Sequence, residues 1–218
     1  SLYQFCRTVD DIADELPPEE AKLELNKIKN ALFDPEFDDH IQHQIQQLEN
    51  KGVERKYLAD LIEGAEFDIE NRPIENQHDL EKYCYHVAGV VGLMMNPLIE
   101  VQEKMAYPYA VSLGKAMQLT NICRDILEDA KNNRFYLPNE ELLEKNISKN
   151  ELAINGPTKE NLKQLVKKYL TLADQYYDYS YQGLRYMPFK YAFVILLAGQ
   201  VYRSIGHKIA MNNFEVLY

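Results

Sequence analysis

The chain has 218 residues, of which 46% are hydrophobic and 27% are charged, a composition that indicates one soluble globular domain and excludes a disordered or collagen-like chain. It carries 24 Lys and Arg residues against 34 Asp and Glu residues, and the resulting net charge of −10 disfavours a nucleic-acid partner because the surface repels a phosphate backbone. The same charge repels phosphorylated small molecules unless cations or a local basic patch intervene.

The cysteines and the apolar runs indicate the cellular compartment. Cys6, Cys84 and Cys123 are too few and too far apart for a disulfide framework or a zinc cluster, and we expect them to be small buried residues. The longest apolar run, residues 191–201, is shorter than the roughly 20 residues of a membrane span. No signal peptide is visible at the first residues. The sequence favours a cytoplasmic protein.

Apolar residues recur with helical spacing along nearly the whole chain, and Gly and Pro separate the helices instead of forming hairpins. No stretch shows the strict alternation of a strand, which predicts an all-α fold. The last helix is nearly all apolar and is therefore predicted to be buried. The predicted helices, in chain order, cover residues 1–16, 18–32, a polar segment around 41–48, 55–69, 77–95, 106–129, a segment after the N-cap Thr158, and a segment after Pro188.

We expect a single domain over residues 1–218 that continues beyond both ends. The first ten residues already place Leu2, Phe5 and Val9 on one apolar helix face, and the last six lack a helix stop.

The first acidic stripe lies in the first predicted helix, in the run DDIADE at residues 10–15. Asp10 and Asp14 are i, i+4 neighbours, with Cβ atoms about 5–6 Å apart. Asp11 lies about 100° around the helix axis from Asp10. Like charges at the i, i+4 spacing repel each other and destabilise a helix unless a positive group lies between them.

The second acidic stripe repeats the pattern in the run RDILED at residues 124–129. Asp125 and Asp129 are again i, i+4 neighbours, and Gln118 and Asn121 precede them on the same line of the predicted helix. Their neighbours Leu119, Ile122 and Ile126 are apolar. The four side chains form a row of oxygen acceptors beside these apolar residues.

Divalent cations relieve the repulsion within such acidic pairs, because hard cations take oxygen ligands. Mg²⁺ keeps several waters and binds a few carboxylates together with substrate phosphates. Two facing carboxylate helices would therefore bracket a metal–diphosphate cluster, and the metals would turn an acidic site into a phosphate-binding one.

A solvated helix face is the alternative interpretation of each acidic run, and a single short motif is a weak signal. Two stripes in apolar surroundings favour the metal site. The acidic pairs that lack such surroundings are interpreted as surface charges: Glu19-Glu20, Asp38-Asp39 and Glu140-Glu141.

Three long motifs follow one another along the chain: LYQFCRTVDDIADE at residues 2–15, YCYHVAGVVGLM at 83–94, and GKAMQLTNICRDILED at 114–129, which RFYLP continues at 134–138. In this order they resemble the squalene/phytoene synthase family. The resemblance extends over essentially the whole chain. It implies an all-α isoprenoid-synthase bundle around a central cavity.

The resemblance also implies a reaction, the Mg²⁺-dependent head-to-head (1′–1) condensation of two prenyl diphosphates, with Mn²⁺ as an alternative metal. One farnesyl or geranylgeranyl diphosphate ionises, and the double bond of the second attacks its allylic cation. The resulting cyclopropylcarbinyl diphosphate ionises again and rearranges to a C30 or C40 product. Because the substrates are amphiphiles and the product is an oil, we also expect peripheral membrane contact.

The site residues follow by position within the motifs. The resemblance implies metal ligands at Asp10, Asp14, Asp125 and Asp129. It implies diphosphate contacts from Arg7, Gln118, Asn121, Arg124 and Arg134. It implies tyrosines at the reaction centre, where a phenol can stabilise a cation or help to move a proton: Tyr3, Tyr83 and Tyr136.

The middle motif also has an interpretation of its own. Val87, Ala88, Val91 and Gly92 leave one helix face small enough for a prenyl chain to lie against it. Close helix packing through small residues is the alternative, and it would be preferred without the flanking motifs. His86 is interpreted as structural.

The segment EDAKNNRFYLP at residues 128–138 looks closest to bacterial phytoene and dehydrosqualene synthases. Squalene or presqualene diphosphate synthase is the alternative within the family, and the squalene reaction would require NADPH. A non-catalytic relative acting as an assembly factor is a second alternative, disfavoured because all four acidic positions are filled.

Overall fold

The computed structural model describes residues 1–34 and 40–218, and no strand occurs in these two ranges. The all-α prediction is confirmed. Pro35 and the predicted surface pair Asp38-Asp39 lie outside the described residues. Of the other predicted surface charges, Glu19, Glu20 and Glu140 are exposed, whereas Glu141 is half-buried and accepts a hydrogen bond from the hydroxyl of Tyr169.

Twelve α-helices are described in residues 1–34 and 40–218, together with one π-helical turn at Tyr85–Gly89. The helices are α1 (Leu2–Glu15), α2 (Pro18–Phe33), α3 (His40–Glu49), α4 (Arg55–Ile69), α5 (Gln77–Cys84), α6 (Val90–Leu98), α7 (Tyr107–Arg124), α8 (Ile126–Lys131), α9 (Asn139–Glu144), α10 (Lys149–Leu152), α11 (Glu160–Tyr181) and α12 (Phe189–Met211).

Two of the long predicted helices are interrupted. The one predicted over residues 77–95 contains the π turn between α5 and α6, and it continues to Leu98 with Pro97 in its last turn. The one predicted over 106–129 breaks at Asp125, whose backbone leaves the helical region with φ −101° and ψ 12°. Neither interruption moves a predicted site residue out of a helix or its cap.

The predicted N-cap of α11 is wrong. Thr158 is buried, and its hydroxyl accepts hydrogen bonds from the backbone N–H groups of Val216 and Leu217. Lys159 takes the cap position. A tertiary contact with the last residues of the chain therefore replaces the local capping interaction that Thr favours.

Helix α7 lies at the centre of the bundle, where it contacts α6, α11, α12 and the π turn. One apolar core forms between α7 and α11, and a second joins α1, α2, α4 and α6. The two cores leave a cleft between α1 and α4 on one side and the end of α7 on the other. This cleft is where the two acidic stripes meet.

The prediction that α12 is buried is wrong. One side packs on α7 and α11, but the other side exposes Phe193, Val194, Leu197 and Val201, each by more than half of its surface. An apolar composition favours burial of a helix, but the neighbouring helices decide which of its faces are covered. Within the described residues, no helix is long and apolar enough to cross a membrane.

Candidate active site

The two acidic stripes line one cleft of about 290 Å³. Helix α1 contributes Asp10 and Asp14, and the α7–α8 junction contributes Asp125 and Asp129. Residues 115 positions apart in sequence thus face each other, as the prediction of two bracketing helices requires. The other lining residues are Ala13, Leu61, Ala65, Asp68, Tyr83, Val87, Gln118, Asn121, Ile122, Arg134 and Tyr136.

The break at Asp125 preserves the second stripe. The backbone N–H of Asp129 donates to the carbonyl of Asp125 over 2.8 Å, so the i, i+4 relation survives the change of helix. Gln118 and Asn121 line the cleft from the last turns of α7. The predicted row of oxygen acceptors is therefore assembled in the structure.

Two of the cleft carboxyl groups have raised pKa values, from burial first and from a neighbouring carboxylate second. Burial and the neighbouring Asp125 raise the pKa of Asp129 to about 7, against the nearby positive charge of Arg134. Loss of solvation and the neighbouring Asp14 raise the pKa of Asp10. A cation bound in the cleft would favour the charged forms of Asp10 and Asp129.

The donor set of the cleft fits a hard divalent cation. Every polar acceptor is an oxygen, from five Asp carboxylates, two side-chain amides and two phenols. Asn121 Oδ1 is buried and has no hydrogen-bond partner among the described residues. A buried acceptor without a donor is costly, and a cation with its waters would satisfy it.

Asp129→Asn is expected to stabilise the metal-free protein. The pKa of Asp129 is about 7 in the folded protein and 3.8 as its ordinary value, so between these pH values the folded state binds a proton that the unfolded state releases. The free energy of unfolding therefore falls as pH rises through this range. Removing the charge should add on the order of 1 kcal/mol at about pH 8, or about 2–4 °C in Tm, with little gain near pH 4. Thermal unfolding in EDTA measures it, with Glu128→Gln as an exposed control. A lower Tm for Asp129→Asn at pH 8 would contradict this electrostatic interpretation.

Each predicted diphosphate-contacting arginine pairs with an aspartate. Arg134 Nη1 lies 2.8 Å from Asp14 Oδ1 and links the two sides of the cleft. Arg124 binds Asp125 through two contacts of 2.6 Å. On α1, Arg7 Nη2 lies 2.8 Å from Asp11 Oδ1. Arg124 and Arg7 are exposed beside the cleft, so only Arg134 lines it directly.

Two of the three predicted tyrosines form a stacked pair in the cleft wall. The rings of Tyr83 and Tyr136 have centroids 4.9 Å apart and an interplanar angle of 18°. Tyr3 lies elsewhere: its side chain is 75% exposed and does not line the cleft. It precedes Arg7 on the same stripe of α1, one turn further from the carboxylates of Asp10 and Asp14.

Asp68 lines the cleft, and the sequence interpretation missed it. Both phenols of the stacked pair donate hydrogen bonds to its carboxylate, Tyr136 over 2.8 Å and Tyr83 over 3.1 Å. A signal was present, since Asp68 extends the apolar line of Leu61 and Ala65 on α4. An acid that continues a buried stripe needs a partner.

The π turn connects this polar cleft to an apolar cavity. Val87 lines both, and Ala88, Val91 and Gly92 continue along the apolar cavity, which also measures about 290 Å³. A π turn adds a residue to the helical turn and helps Tyr83, Val87 and Val91 stay on one side of the helix. The predicted small-residue face thus lines a cavity and also packs closely on α7.

The close packing depends on Gly114 of α7. A Cβ atom there would lie 2.3 Å from the carbonyl oxygen of Ala88 in the π turn. Both interpretations of the middle motif therefore apply. The face that carries Ala88 packs against Gly114 of α7 and also lines the apolar cavity.

The three cysteines are free, as expected. Cys84 and Cys123 are fully buried and Cys6 is half-buried. Burial raises the pKa of Cys6 and Cys123 to about 12, which makes both thiols poor nucleophiles at neutral pH.

One other cluster of possible metal ligands occurs in the described part of the chain, and it lies outside the cleft. Ligand atoms of Asp60, Glu63 and His86 fall within 4.8 Å of one another. His86 Nδ1 donates to the backbone carbonyl of Asp60 over 2.9 Å, and Tyr85 donates to the Asp60 carboxylate over 2.7 Å. Asp60 and His86 are therefore already engaged in hydrogen bonds within the protein.

Comparison with known proteins places the whole chain in one family. Residues 1–218 match the squalene/phytoene synthase family. The chain is 33% identical to the 15-cis-phytoene synthase of Enterobacter agglomerans, over 95% of this chain and 75% of that protein. It is also 33% identical to the 4,4'-diapophytoene synthase of Staphylococcus haemolyticus, over 99% of this chain and 78% of that protein.

Solved structures give the same fold. A crystal structure of a dehydrosqualene synthase with bound ligand superposes with a TM-score of 0.87 at 26% identity, covering 100% of this chain and 77% of that chain. A squalene synthase from Alicyclobacillus acidocaldarius superposes with a TM-score of 0.84 at 19% identity, covering 98% of this chain and 82% of that chain. The predicted isoprenoid-synthase bundle is confirmed.

Proposed function

Because this chain belongs to the squalene/phytoene synthase family, we propose that it condenses two prenyl diphosphates head to head, through a cyclopropylcarbinyl diphosphate, to phytoene or dehydrosqualene. The observation that carries this proposal is the junction at Val87, where a cleft lined by five aspartates meets an apolar cavity. A prenyl diphosphate has the matching polarity, with a charged head and a long apolar chain.

The cleft side chains bind the charged heads. Asp10, Asp14, Asp125 and Asp129 would hold Mg²⁺, or Mn²⁺ in its place, which supplies charge neutralisation for a departing diphosphate. Arg134, which lines the cleft, adds a guanidinium suited to phosphate oxygens. Binding of a diphosphate would exchange the Arg134–Asp14 contact for a contact between Arg134 and the substrate.

Amide side chains and two further arginines complete the proposed polar contacts. Gln118 and Asn121 face the cleft from α7 and can bind metal-held waters or diphosphate oxygens. Arg124 and Arg7 lie beside the cleft and would reach a diphosphate after leaving their aspartate partners.

The tyrosines and the apolar cavity act on the hydrocarbon part of the substrates. Tyr83 and Tyr136 present aromatic rings and phenol oxygens at the cleft wall, where they can stabilise an allylic cation. The apolar wall around Val91 and Gly92 orients the chain and excludes water that would capture the cation. Tyr3 stays a proposed contributor, at the outer end of the α1 stripe.

Product analysis tests the proposal. The purified protein is incubated with Mg²⁺ and radiolabelled farnesyl or geranylgeranyl diphosphate, with and without NADPH. We expect dehydrosqualene or phytoene without NADPH, and the productive substrate identifies the C15 or C20 preference. Squalene formed only with NADPH would support the alternative reaction within the family. Failure to convert either substrate would overturn the enzymatic proposal in favour of an assembly factor.

We also propose peripheral contact with a membrane, since the substrates are amphiphiles and the product is an oil. Co-flotation of the protein with phosphatidylcholine vesicles, with and without farnesyl diphosphate in the bilayer, measures this contact. Recovery of the protein only in the vesicle-free fraction in both cases would contradict it.

A further inference from the structure

The carboxylate of Asp68 is the shared acceptor for the two tyrosines of the cleft. Tyr136 donates to Oδ1 over 2.8 Å, and the Tyr83 hydroxyl lies 3.1 Å from both carboxylate oxygens. These three residues come from α4, from α5 and from the segment after α8. One charged group therefore joins three parts of the chain at the cleft wall.

The direction of these hydrogen bonds has a chemical consequence. Above its pKa of about 6, which burial raises, Asp68 is a carboxylate and can only accept. Each phenol must therefore point its hydrogen at Asp68 and away from the cleft. The remaining lone pairs of the two phenol oxygens are left for groups in the cleft, and donation to a carboxylate makes these oxygens more electron-rich.

We propose that Asp68 is a positioning residue of the condensation, which fixes Tyr83 and Tyr136 with their hydroxyl hydrogens turned away from the substrate and the free lone pairs of their phenol oxygens left for it. This inference rests on the proposed function. Oriented this way, the phenols favour cationic carbon in the cleft over the neutral substrate, so the interaction acts on the reaction steps more than on substrate binding.

A contact of the same kind elsewhere on α4 provides a matched control. Tyr85 donates to Asp60 Oδ2 over 2.7 Å, but neither residue lines the acidic cleft. Asp60→Asn therefore weakens a Tyr–Asp hydrogen bond on the same helix without changing the cleft wall.

The test compares Asp68→Asn with Asp60→Asn in steady-state kinetics and product analysis. Asn is neutral and has only one acceptor oxygen, so the two phenols lose their shared charged partner. We expect Asp68→Asn to lower kcat by about 10–100-fold while KM changes less than about threefold. We also expect the cyclopropylcarbinyl diphosphate to accumulate relative to hydrocarbon. Asp60→Asn should match the wild type in both readouts.

Coupling to the tyrosine separates orientation from a structural role. If Asp68 acts through Tyr136, the double variant Asp68→Asn with Tyr136→Phe should be no slower than the slower single variant. Tyr136→Phe alone should reproduce part of the kcat loss, and it provides the readout if Asp68→Asn fails to fold.

The outcomes separate the two proposals. If the wild type and Asp60→Asn convert substrate and Asp68→Asn equals them in kcat and product ratio, the role of Asp68 is overturned and the proposed function stands. Full additivity of the double variant overturns the orienting role as well. If the wild type converts neither substrate, the proposed function fails and the role of Asp68 fails with it.

Discussion

Asp14→Asn and Asp125→Asn should each reduce turnover by about 10³-fold or more, because each removes a carboxylate from the site proposed to hold the metals and the departing diphosphate. The two residues lie on opposite walls of one cleft. Asn keeps the shape of Asp and loses its charge, so the effect reports on charge. Product formation from the preferred prenyl diphosphate in saturating Mg²⁺ measures it.

Loss of fold does not explain the expected result. The Asp14 side chain is 60% exposed, and its ion pair with Arg134 is worth at most about 1 kcal/mol in such a setting. Removal of one charge from a mutually repelling set offsets part of that loss. We therefore expect both variants to melt within a few degrees of the wild type.

Glu128→Gln is the matched control for these variants. Glu128 is exposed on α8, next to Asp129 in sequence, and does not line the cleft. Its neutralisation should leave turnover within about twofold of the wild type. Near-wild-type rates for Asp14→Asn and Asp125→Asn, with Glu128→Gln also active, would show that the stripes are ordinary charged surface.

Gly114→Ala is the second large expected effect, and it concerns stability. The added Cβ would lie 2.3 Å from the Ala88 oxygen and 2.6 Å from its carbonyl carbon, and both atoms belong to backbone that cannot turn aside. We expect the free energy of unfolding to fall by about 3 kcal/mol or more, which is about 6–12 °C in Tm for a chain of this size. Thermal and urea unfolding measure it.

Gly206→Ala is the control for that substitution. Gly206 also lies within a long helix, α12, but a Cβ there meets only the end of the Leu170 side chain, at 3.2 Å. Ala is the better helix former by up to about 1 kcal/mol, so this variant should be neutral or slightly stabilised. If Gly114→Ala is as stable as Gly206→Ala, then the close contact between Gly114 of α7 and the Ala88 backbone of the π turn is contradicted.

Local spacing explains why most of the cleft could be predicted from the sequence. Asp10 and Asp14 share a helix face whatever the tertiary structure is, and the same holds for Gln118, Asn121 and Asp125. The motif resemblance then put the two stripes into one site, and the structure brings them to one cleft. Tyr83 and Tyr136 joined the prediction by the same route.

The errors arose where distant contacts decide the structure. Asp68 receives hydrogen bonds from residues 15 and 68 positions away, which no helical period reveals. Thr158 has the chemistry of an N-cap, but the last residues of the chain take its hydroxyl. The π turn at Tyr85–Gly89 is a change of hydrogen-bond register that side-chain patterns do not encode.

The prediction that α12 is buried was wrong for a related reason. Its sequence is nearly all apolar over residues 191–201, and a helix that is apolar all round is usually buried. In the described structure Phe193 and Leu197 face away from α7 and α11. Composition sets how much apolar surface a helix has, and the arrangement of its neighbours sets how much of that surface is covered.

Binding of an unreactive prenyl thiodiphosphate tests the central claim most directly, because it isolates recognition of the diphosphate from the later chemistry. Isothermal titration calorimetry compares the wild type, with and without Mg²⁺, with the double variant Asp14→Asn, Asp125→Asn. We predict that the wild type binds the analogue only with Mg²⁺ and that the double variant fails to bind under either condition. Equal affinity of the wild type with and without Mg²⁺, or wild-type affinity in the double variant, would contradict a metal-assisted diphosphate site in the acidic cleft.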